Sequence, residues 1–356
     1  MARSPAKQAG ETPDAVALRY GLAGEVLVAK GGRVLLDRGY GPIAPSGGPL
    51  HKAGERWRLA SITKQVTAAL VVQGIAANGS IRHPERVRGM LDDVSTPPRL
   101  ASADAALAEE LDAIYLYPAL LSENLGALSL RHVLTHHSGL ANPDDTPKNV
   151  LGVPRAYLSA TPDIGQCVSR PATPGAPFRY NNCDYILLGQ VLETEGERPG
   201  PIGWPKGMSM ARAGEKGVPG YVGSRPEPAL ELASFGAAGG LMGTARAVFD
   251  FDRSLMTGRF MPTFARDALW KPEGGGSYQA LGAWVFPGKL NGCAAAKRIV
   301  QRDGEIYGVQ ARNYILPDDD LVVVVFTNRS SDDFAFGEVW EGKGFAYDLL
   351  SAAVGC

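Results

Sequence analysis

Four consecutive residues at positions 61–64, Ser-Ile-Thr-Lys, combine a nucleophile with a base. Residues three apart share one face of a helix, so the hydroxyl of Ser61 and the amine of Lys64 would be neighbours there. A serine alcohol is a weak nucleophile until a neighbouring group takes its proton, and a desolvated lysine can do so. The first turn of a helix also favours negative charge on the serine oxygen. The tetrapeptide therefore predicts nucleophilic chemistry at Ser61, with Lys64 accepting its proton or holding the proton network of the site.

The segments on either side of this tetrapeptide could position it. Residues 56–60 have the composition of a strand, and residues 65–72 continue as an apolar helix. A second Ser-x-x-Lys, from Ser4 to Lys7, lies in a polar stretch that contains proline and has no helical pattern. Position 61 is therefore the candidate nucleophile. The alternative for Lys64 is an exposed helix lysine without a chemical role.

A second motif, Tyr-Asn-Asn at residues 180–182, precedes the apolar run 185–189 and is the one Tyr-x-Asn of the chain. The phenol of Tyr180 can act as a base, or return a proton to a leaving group, if nearby cations stabilise its oxyanion. The amide of Asn182 can orient Lys64 and hold a substrate carbonyl. The alternatives are a core tyrosine and a pair of asparagines that cap the next helix.

Further motifs follow in a recognisable order: LTHHSGL at 134–140, Pro-Gly at 174–175 and AGGLMGTA at 238–245. With Ser-x-x-Lys and Tyr-x-Asn, they make the chain resemble the serine hydrolase family of class C β-lactamases, DD-peptidases and related esterases. The resemblance extends from about residue 24 to residue 330. It implies an acyl-enzyme on Ser61, with Lys64 and Tyr180 handling protons, in a cleft between two lobes.

The third motif of this family, Lys or His followed by any residue and Gly, differs here. The matching stretch is Arg302-Asp303-Gly304, because all five histidines precede residue 138. Arg302 would keep a permanent positive charge, lower the pKa of Tyr180 and Lys64, and bind a substrate carboxylate. Gly304 would let the substrate approach the strand, and the backbone N–H groups of Ser61 and Glu305 would form an oxyanion hole. The alternative is that Arg302 is a surface strand residue and the site has two motifs.

Charge and patterning narrow the classes of function. Lys and Arg number 36 against 37 Asp and Glu, so no basic field favours nucleic acid or an anionic membrane surface. The longest compact apolar run, 321–326, has the length of a strand and not of a membrane span. No P-loop, dinucleotide fingerprint or G-x-S-x-G elbow is present, and His132 and His136 lack the remaining residues of a zinc motif. We predict neither a cofactor nor a metal.

Localisation stays open at this point. Residues 1–14 lack the apolar core of a signal peptide, so the chain is either cytoplasmic or a mature form with a replaced start. Cys167 could pair with Cys183, and Cys293 with Cys356, but four reduced thiols are an equal alternative. The resemblance favours a periplasmic or secreted protein.

Strand patterns lie near both ends of the chain and helical patterns between them. We predict a hairpin at 25–37, strands at 282–286, 298–301, 311–316 and 321–327, and a last helix at about 336–353. This order predicts an α+β fold of the β-lactamase and DD-peptidase type: an antiparallel sheet built from the N- and C-terminal segments with flanking helices, plus a mostly helical lobe inserted in sequence. A flexible tail at 1–20 would precede a single catalytic domain at 21–356, with an α/β lobe at about 21–60 and 256–356 and a helical lobe at about 61–255.

Two segments depart from the outline of the family. Residues 92–125 look like an insertion, and the Gly- and Pro-rich residues 194–230 read as an irregular loop where a helix is often found. Together with Arg302 in place of lysine, they favour an esterase-like hydrolase over an efficient β-lactamase. A true β-lactamase and a D-amino-acid peptidase are the alternatives with the same chemistry. A sensor or binding module that acylates without turnover is the alternative of another class. The expected partner is a small ester, β-lactam or peptide substrate, and the oligomeric state stays open.

Overall fold

The structure of the chain, a computed structural model, describes residues 10–78, 107–108, 111–112, 123–195 and 203–356. Most of the insertion predicted at 92–125 lies outside these residues. Within the described ranges, no helix is both long enough and apolar enough to cross a membrane.

The helices and strands follow one another in a mixed order. The α-helices are α1 (Pro13–Arg19), α2 (Ile62–Asn78), α3 (Leu130–Leu134), α4 (Ile164–Cys167), α5 (Asn182–Glu195), α6 (Gly236–Gly239), α7 (Ala245–Met256), α8 (Thr263–Leu269) and α9 (Phe345–Val354). The strands are β1 (Gly24–Lys30), β2 (Arg33–Tyr40), β3 (Trp57–Arg58), β4 (Ser209–Met210), β5 (Tyr221–Val222), β6 (Arg225–Pro226), β7 (Leu241–Gly243), β8 (Trp284–Gly288), β9 (Lys297–Ile306), β10 (Val309–Leu316) and β11 (Leu321–Thr327). Short 3₁₀ helices occupy Glu123–Leu125, Pro143–Asp145, Arg155–Leu158, Leu232–Phe235, Pro317–Asp319 and Val339–Glu341.

The main sheet has six antiparallel strands in the order β2-β1-β11-β10-β9-β8. Its central strand β11 reads LVVVVFT and is buried along its whole length, since apolar residues cover both faces. Val322 and Val324 pack into the core that contains α2, while Val323 and Val325 pack into the core that contains α1 and α9. The α+β fold, with a sheet built from both ends of the chain and flanking helices, is therefore confirmed.

Strand β3, just before the Ser-x-x-Lys tetrapeptide, is anchored to this sheet through Trp57. The Trp57 ring stacks on Phe326 at a centroid distance of 5.1 Å, and its Nε1 donates to Glu25 Oε2 at 2.7 Å. Burial raises the pKa of Glu25 to about 7. The turn that carries Ser61 is thereby held against the centre of the sheet by packing and by one buried hydrogen bond.

Three local predictions need correction. Part of the tail predicted at 1–20 is the helix α1, which Thr12 caps and which buries Val16 and Ala17 against the C-terminal helix. The strand predicted at 56–60 is only two residues long, because the backbone of Ala60 turns to φ +45°. The last helix begins at Phe345 and not near 336, because Gly344 has φ +94°, a conformation that interrupts a helix.

Of the loop predicted at 194–230, residues 194–195 form the end of α5, and residues 196–202 lie outside the described residues. Residues 203–230 contain the short strands β4, β5 and β6 and no helix. Disulfides join Cys167 to Cys183 and Cys293 to Cys356. The first links α4 to the first turn of α5, directly after the Tyr-x-Asn motif, and the second ties the end of the chain to the segment between β8 and β9.

Candidate active site

Ser61 lies at a sharp turn between β3 and α2. Ala60 has φ +45°, a conformation that a residue with a side chain rarely adopts, and the turn projects Ser61 away from the core. Its neighbours Ala60 and Ile62 are almost completely buried, whereas Ser61 remains partly exposed. The turn thus leaves the serine partly open to solvent, at the positive end of a 17-residue helix.

Lys64 lies one helical turn after Ser61 and is buried. Its Nζ donates to Ser61 Oγ at 3.1 Å, to Asn182 Oδ1 at 2.7 Å and to the carbonyl of Ala238 at 2.8 Å. Burial lowers the pKa of Lys64 to about 8, and the positive charge of Arg302 acts in the same direction. The amine therefore titrates near physiological pH while in contact with the serine oxygen.

Tyr180, two residues before the first residue of α5, contacts the same serine oxygen. Its hydroxyl lies 2.6 Å from Ser61 Oγ and accepts a hydrogen bond from Arg302 Nη2 at 2.5 Å. Burial by itself would raise the pKa of Tyr180, but the charges of Arg302 and Lys64 outweigh it and lower the pKa below the ordinary value. Two cations thus favour the phenolate form beside the serine.

Arg302 lies on β9 and is 1% exposed. Besides Tyr180, its Nε donates to the carbonyl of Ser61 at 2.8 Å, and its Cζ lies 4.9 Å from the centroid of the Trp284 ring. Its Nη1 is buried with no hydrogen-bond partner among the described residues. The third-motif arginine therefore contacts both the serine residue and the tyrosine.

Gly304 brings strand β9 against the turn that carries Ser61. A Cβ atom built on Gly304 would lie 2.6 Å from the carbonyl oxygen of Leu59 and 3.3 Å from the backbone nitrogen of Ser61. No side chain fits in this gap.

Glu305 follows at the free edge of β9. Strand β8 pairs with β9 only as far as Gln301, and a two-residue turn joins Ile306 to Val309 on β10. In such a hairpin the flanking pair is hydrogen-bonded, so alternation directs the N–H of Glu305 away from β10. Its side chain accepts from Ser331 Oγ at 2.7 Å. The backbone N–H is thus the group of Glu305 that could face the cleft.

Asn182 is engaged at both ends of its amide. Its Oδ1 accepts from Lys64, and its Nδ2 donates to the hydroxyl of Tyr157 at 2.7 Å. Tyr157 in turn donates to Asp144 Oδ1 at 2.5 Å. This geometry suits an orienting role for Asn182, whereas a substrate carbonyl would have to displace Tyr157. Sequence reasoning did not single out Tyr157 or Asp144, since neither lies in a motif.

Two histidines contact the segments around the site. His136 accepts from the N–H of Asn181 at 3.3 Å, contacts Asp184 Oδ2 at 2.7 Å through the same Nδ1, and packs its ring 4.7 Å from that of Tyr180. His132 instead contacts Ser129 at the start of α3. His132 thus closes the first turn of α3, while His136 packs against Tyr180.

Behind Lys64, a buried polar cluster joins α2 to α7 and β10. Gln65 Nε2 donates to Asp252 Oδ1 at 2.9 Å, and Asn313 Nδ2 donates to Gln65 Oε1 at 3.0 Å. Burial raises the pKa of Asp252 to about 8. Asp252 Oδ2 and Asn313 Oδ1 have no hydrogen-bond partner among the described residues. The cluster fixes α2, which carries Lys64 and begins directly after Ser61, against the sheet.

Comparison with known proteins agrees with this architecture. A sequence profile of the Beta-lactamase family matches residues 14–199, more than half of the chain, and the chain belongs to this family. Members of the family are generally serine hydrolases. No curated protein matches the sequence significantly.

Solved structures show the same fold. A penicillin binding protein from Bacillus halodurans is 18% identical, with a TM-score of 0.67 over 96% of this chain and 98% of that one. EstCE1, a hydrolase with promiscuous acyltransferase activity, is 17% identical, with a TM-score of 0.65 over 96% and 97%. A class C β-lactamase from Rhodobacter sphaeroides is 19% identical, with a TM-score of 0.58 over 95% and 97%. At these identities the likeness concerns the fold.

Proposed function

We propose that the chain is a serine hydrolase that cleaves an ester or an amide through an acyl-enzyme on Ser61, with carboxylic esters as its preferred substrates. The observation that carries this proposal is the contact of one partly exposed serine oxygen with both Tyr180, at 2.6 Å, and Lys64, at 3.1 Å. A nucleophile within hydrogen-bond distance of two groups that can exchange its proton is the arrangement required for acyl transfer.

The hydrogen bonds favour Tyr180 as the base and Lys64 as a cation. Three acceptors surround Lys64 Nζ, and an ammonium group has three N–H donors. The Tyr180 oxygen accepts from Arg302, which has no proton to exchange near neutral pH. In this scheme the proton of Ser61 moves to the Tyr180 phenolate as Oγ attacks the substrate carbonyl, and Tyr180 then returns it to the leaving group. The same groups activate water for deacylation.

Negative charge forms on the substrate carbonyl oxygen during the attack. The N–H of Ser61 and that of Glu305 are the proposed donors to this oxygen, since Gly304 brings the two backbones into contact. Arg302 and the start of α2 add positive potential. The proposed roles are therefore nucleophile for Ser61, base for Tyr180, and electrostatic support for Lys64 and Arg302.

A β-lactam or a D-amino-acid peptide is the second candidate substrate. The observation in its favour is Arg302 Nη1, a buried cationic donor without a partner among the described residues. Substrates of both classes carry a carboxylate that could accept from it. A simple ester lacks this group, so the comparison of chromogenic ester and β-lactam turnover separates the two candidates.

The test is intact-mass spectrometry after exposure to p-nitrophenyl butyrate, nitrocefin and a fluorophosphonate, with turnover followed in parallel. We expect a covalent adduct and turnover for the wild type and for Ser4→Ala, which removes the serine of the other Ser-x-x-Lys. We expect neither for Ser61→Ala with an unchanged fold. An adduct without turnover would favour the sensor or binding module, and turnover by Ser61→Ala would refute the proposal.

A further inference from the structure

A pocket of about 350 Å³ lies beside the candidate catalytic residues, and most of its wall is aromatic. The aromatic residues that line it are Phe178, Tyr278, Trp284, Phe286 and Trp340. Phe178, Tyr278 and Trp340 are 49%, 50% and 57% exposed. Three half-exposed aromatic side chains around one concavity leave a large apolar surface open to solvent, which is typical of a binding site.

Two contacts connect this pocket to the proposed proton-transfer groups. Trp284 lines the pocket and also packs against Arg302, whose Cζ lies 4.9 Å from the centroid of the Trp284 ring. Phe178 precedes Tyr180 by two residues and packs edge-on against His136, the histidine that contacts Tyr180. In the proposed mechanism Tyr180 returns the proton to the leaving group. A pocket on the Tyr180 and Arg302 side of Ser61 is therefore on the leaving-group side.

The polar wall of the pocket carries excess negative charge. Asp303 and Glu338 line it and share one guanidinium, with Arg312 Nε 3.1 Å from Asp303 Oδ1 and Arg312 Nη2 3.6 Å from Glu338 Oε1. The side chains of the two acids are 20% and 29% exposed, while that of Arg312 is 10% exposed. The carboxylates therefore face the opening more than the cation does, and aromatic faces with carboxylates attract ammonium groups.

We propose that this pocket binds the leaving group of the substrate and that it selects an aromatic alcohol or amine bearing a positively charged ammonium group. The aromatic walls would hold the ring, and Asp303 and Glu338 would hold the charge. The inference rests on the proposed function, since it assigns the leaving-group side from the role of Tyr180. To the proposed function, the inference adds the chemical class of the leaving group and the residues that select this group.

The test uses three acetate esters that form the same acetyl-enzyme: ethyl acetate, 2-(4-tert-butylphenyl)ethyl acetate and 2-[4-(trimethylammonio)phenyl]ethyl acetate. The two aromatic esters match in shape and differ by one positive charge. In an acyl-enzyme mechanism kcat/KM covers the steps through acylation, so its differences among the three esters report the interaction with the leaving group. Release of each alcohol is followed by chromatography with mass detection.

For the wild type, we expect the ammonium ester to exceed the tert-butyl ester in kcat/KM by about tenfold. The ammonium group of this ester would contact the aromatic faces and the carboxylates of the pocket, which number two against one guanidinium. Glu338→Gln should reduce this ratio to about two- to threefold, because the pocket loses one negative charge. Glu341→Gln removes the same charge from the same segment, outside the pocket lining, and should keep the wild-type ratio. Trp340→Ala should lower the rates of both aromatic esters relative to ethyl acetate.

A wild-type ratio of one or less, or an unchanged ratio in Glu338→Gln, would overturn the inference. Failure of the proposed function is recognised separately, because then none of the three acetates is hydrolysed by the wild type. The pocket is in that case judged by equilibrium binding of phenyltrimethylammonium, followed by tryptophan fluorescence in the wild type and in Glu338→Gln. Weaker binding by the variant supports the cation site, and equal or absent binding refutes it.

Discussion

Substitution of Gly304 by alanine tests the contact on which the proposed oxyanion hole depends. The glycine lies in a strand without a positive φ, so an alanine backbone is permitted and the effect of the change is steric. The new Cβ would lie 2.6 Å from the carbonyl oxygen of Leu59 and 3.1 Å from Cβ of Ala60. Carbon and oxygen atoms in contact lie about 3.3–3.5 Å apart, so β9 must move away from the serine turn by roughly 0.7–0.9 Å.

The magnitude of the effect follows from this displacement. The N–H of Glu305 is one residue further along β9 and would move with it. Oxyanion donors act at about 2.7–3.1 Å, and loss of one of them costs roughly 10²–10³ in kcat, or about 2.7–4 kcal/mol. We expect Gly304→Ala to lower kcat for p-nitrophenyl butyrate by about 10²-fold, together with a loss of folding stability of about 1–3 kcal/mol from overpacking.

The assay is steady-state turnover at fixed pH, with the thermal midpoint measured on the same preparations. Gly203→Ala is the matched control, because a Cβ at Gly203 meets no atom within 4 Å. We expect wild-type turnover and stability for this control. A folded Gly304→Ala protein with kcat within twofold of the wild type would refute the close approach of β9 as the source of the oxyanion hole.

Two predictions concern titration. Arg302→Met should move the rising limb of the pH profile of kcat/KM upward by about one to two pH units, because the base Tyr180 loses the cation that lowers its pKa most. Arg302→Lys keeps a positive charge and should reverse part of this shift. Rising limbs that superimpose for the wild type and Arg302→Met would contradict Tyr180 as the base. Burial raises the pKa of Asp252 to about 8, so the folded state holds a proton that the unfolded state releases above about pH 4, and stability falls as pH rises from 4 to 8. Asp252→Asn should therefore gain about 1–3 kcal/mol over the wild type at pH 8 and almost nothing at pH 4, as measured by urea unfolding. A gain that is the same at both pH values would contradict this assignment.

The parts of the site that could be read from the sequence are those with a local pattern. Ser61 directly precedes α2 and Lys64 lies in its first turn, and the strand pattern of residues 321–327 coincides with β11. Tyr180 and Arg302 were found as members of short motifs. The structure brings them within hydrogen-bond distance of the serine residue, although 119 and 241 positions separate them from it. Their roles in catalysis remain predictions for the experiments above.

The parts of the site and fold that the sequence does not predict depend on tertiary contacts, which leave no local pattern in the sequence. Tyr157 supports Asn182, and Asp252 supports Gln65 across 187 positions, yet neither Tyr157 nor Asp252 differs in its local sequence from an ordinary polar or aromatic residue. The start of α9 was also misplaced, because an apolar helical pattern continues across Gly344, whose positive φ is a property of the backbone. Local patterns thus predict nucleophile and base, while packing decides what orients them.

The strand order of the main sheet has a consequence for synthesis of the chain. Strand β1 pairs with β11 in a register that joins Gly24 to Thr327. The β1–β2 hairpin therefore cannot form this pairing until about 300 further residues have been synthesised. At roughly 5–20 residues per second, about 300 residues take about 15–60 s to synthesise, and during this time the backbone N–H and C=O groups on one edge of the apolar strand β1 have no native partner. Such a strand is exposed to association with other chains. Ser61 emerges from the ribosome early and Glu305 late, so a nascent chain carries the nucleophile long before it can carry the proposed oxyanion hole.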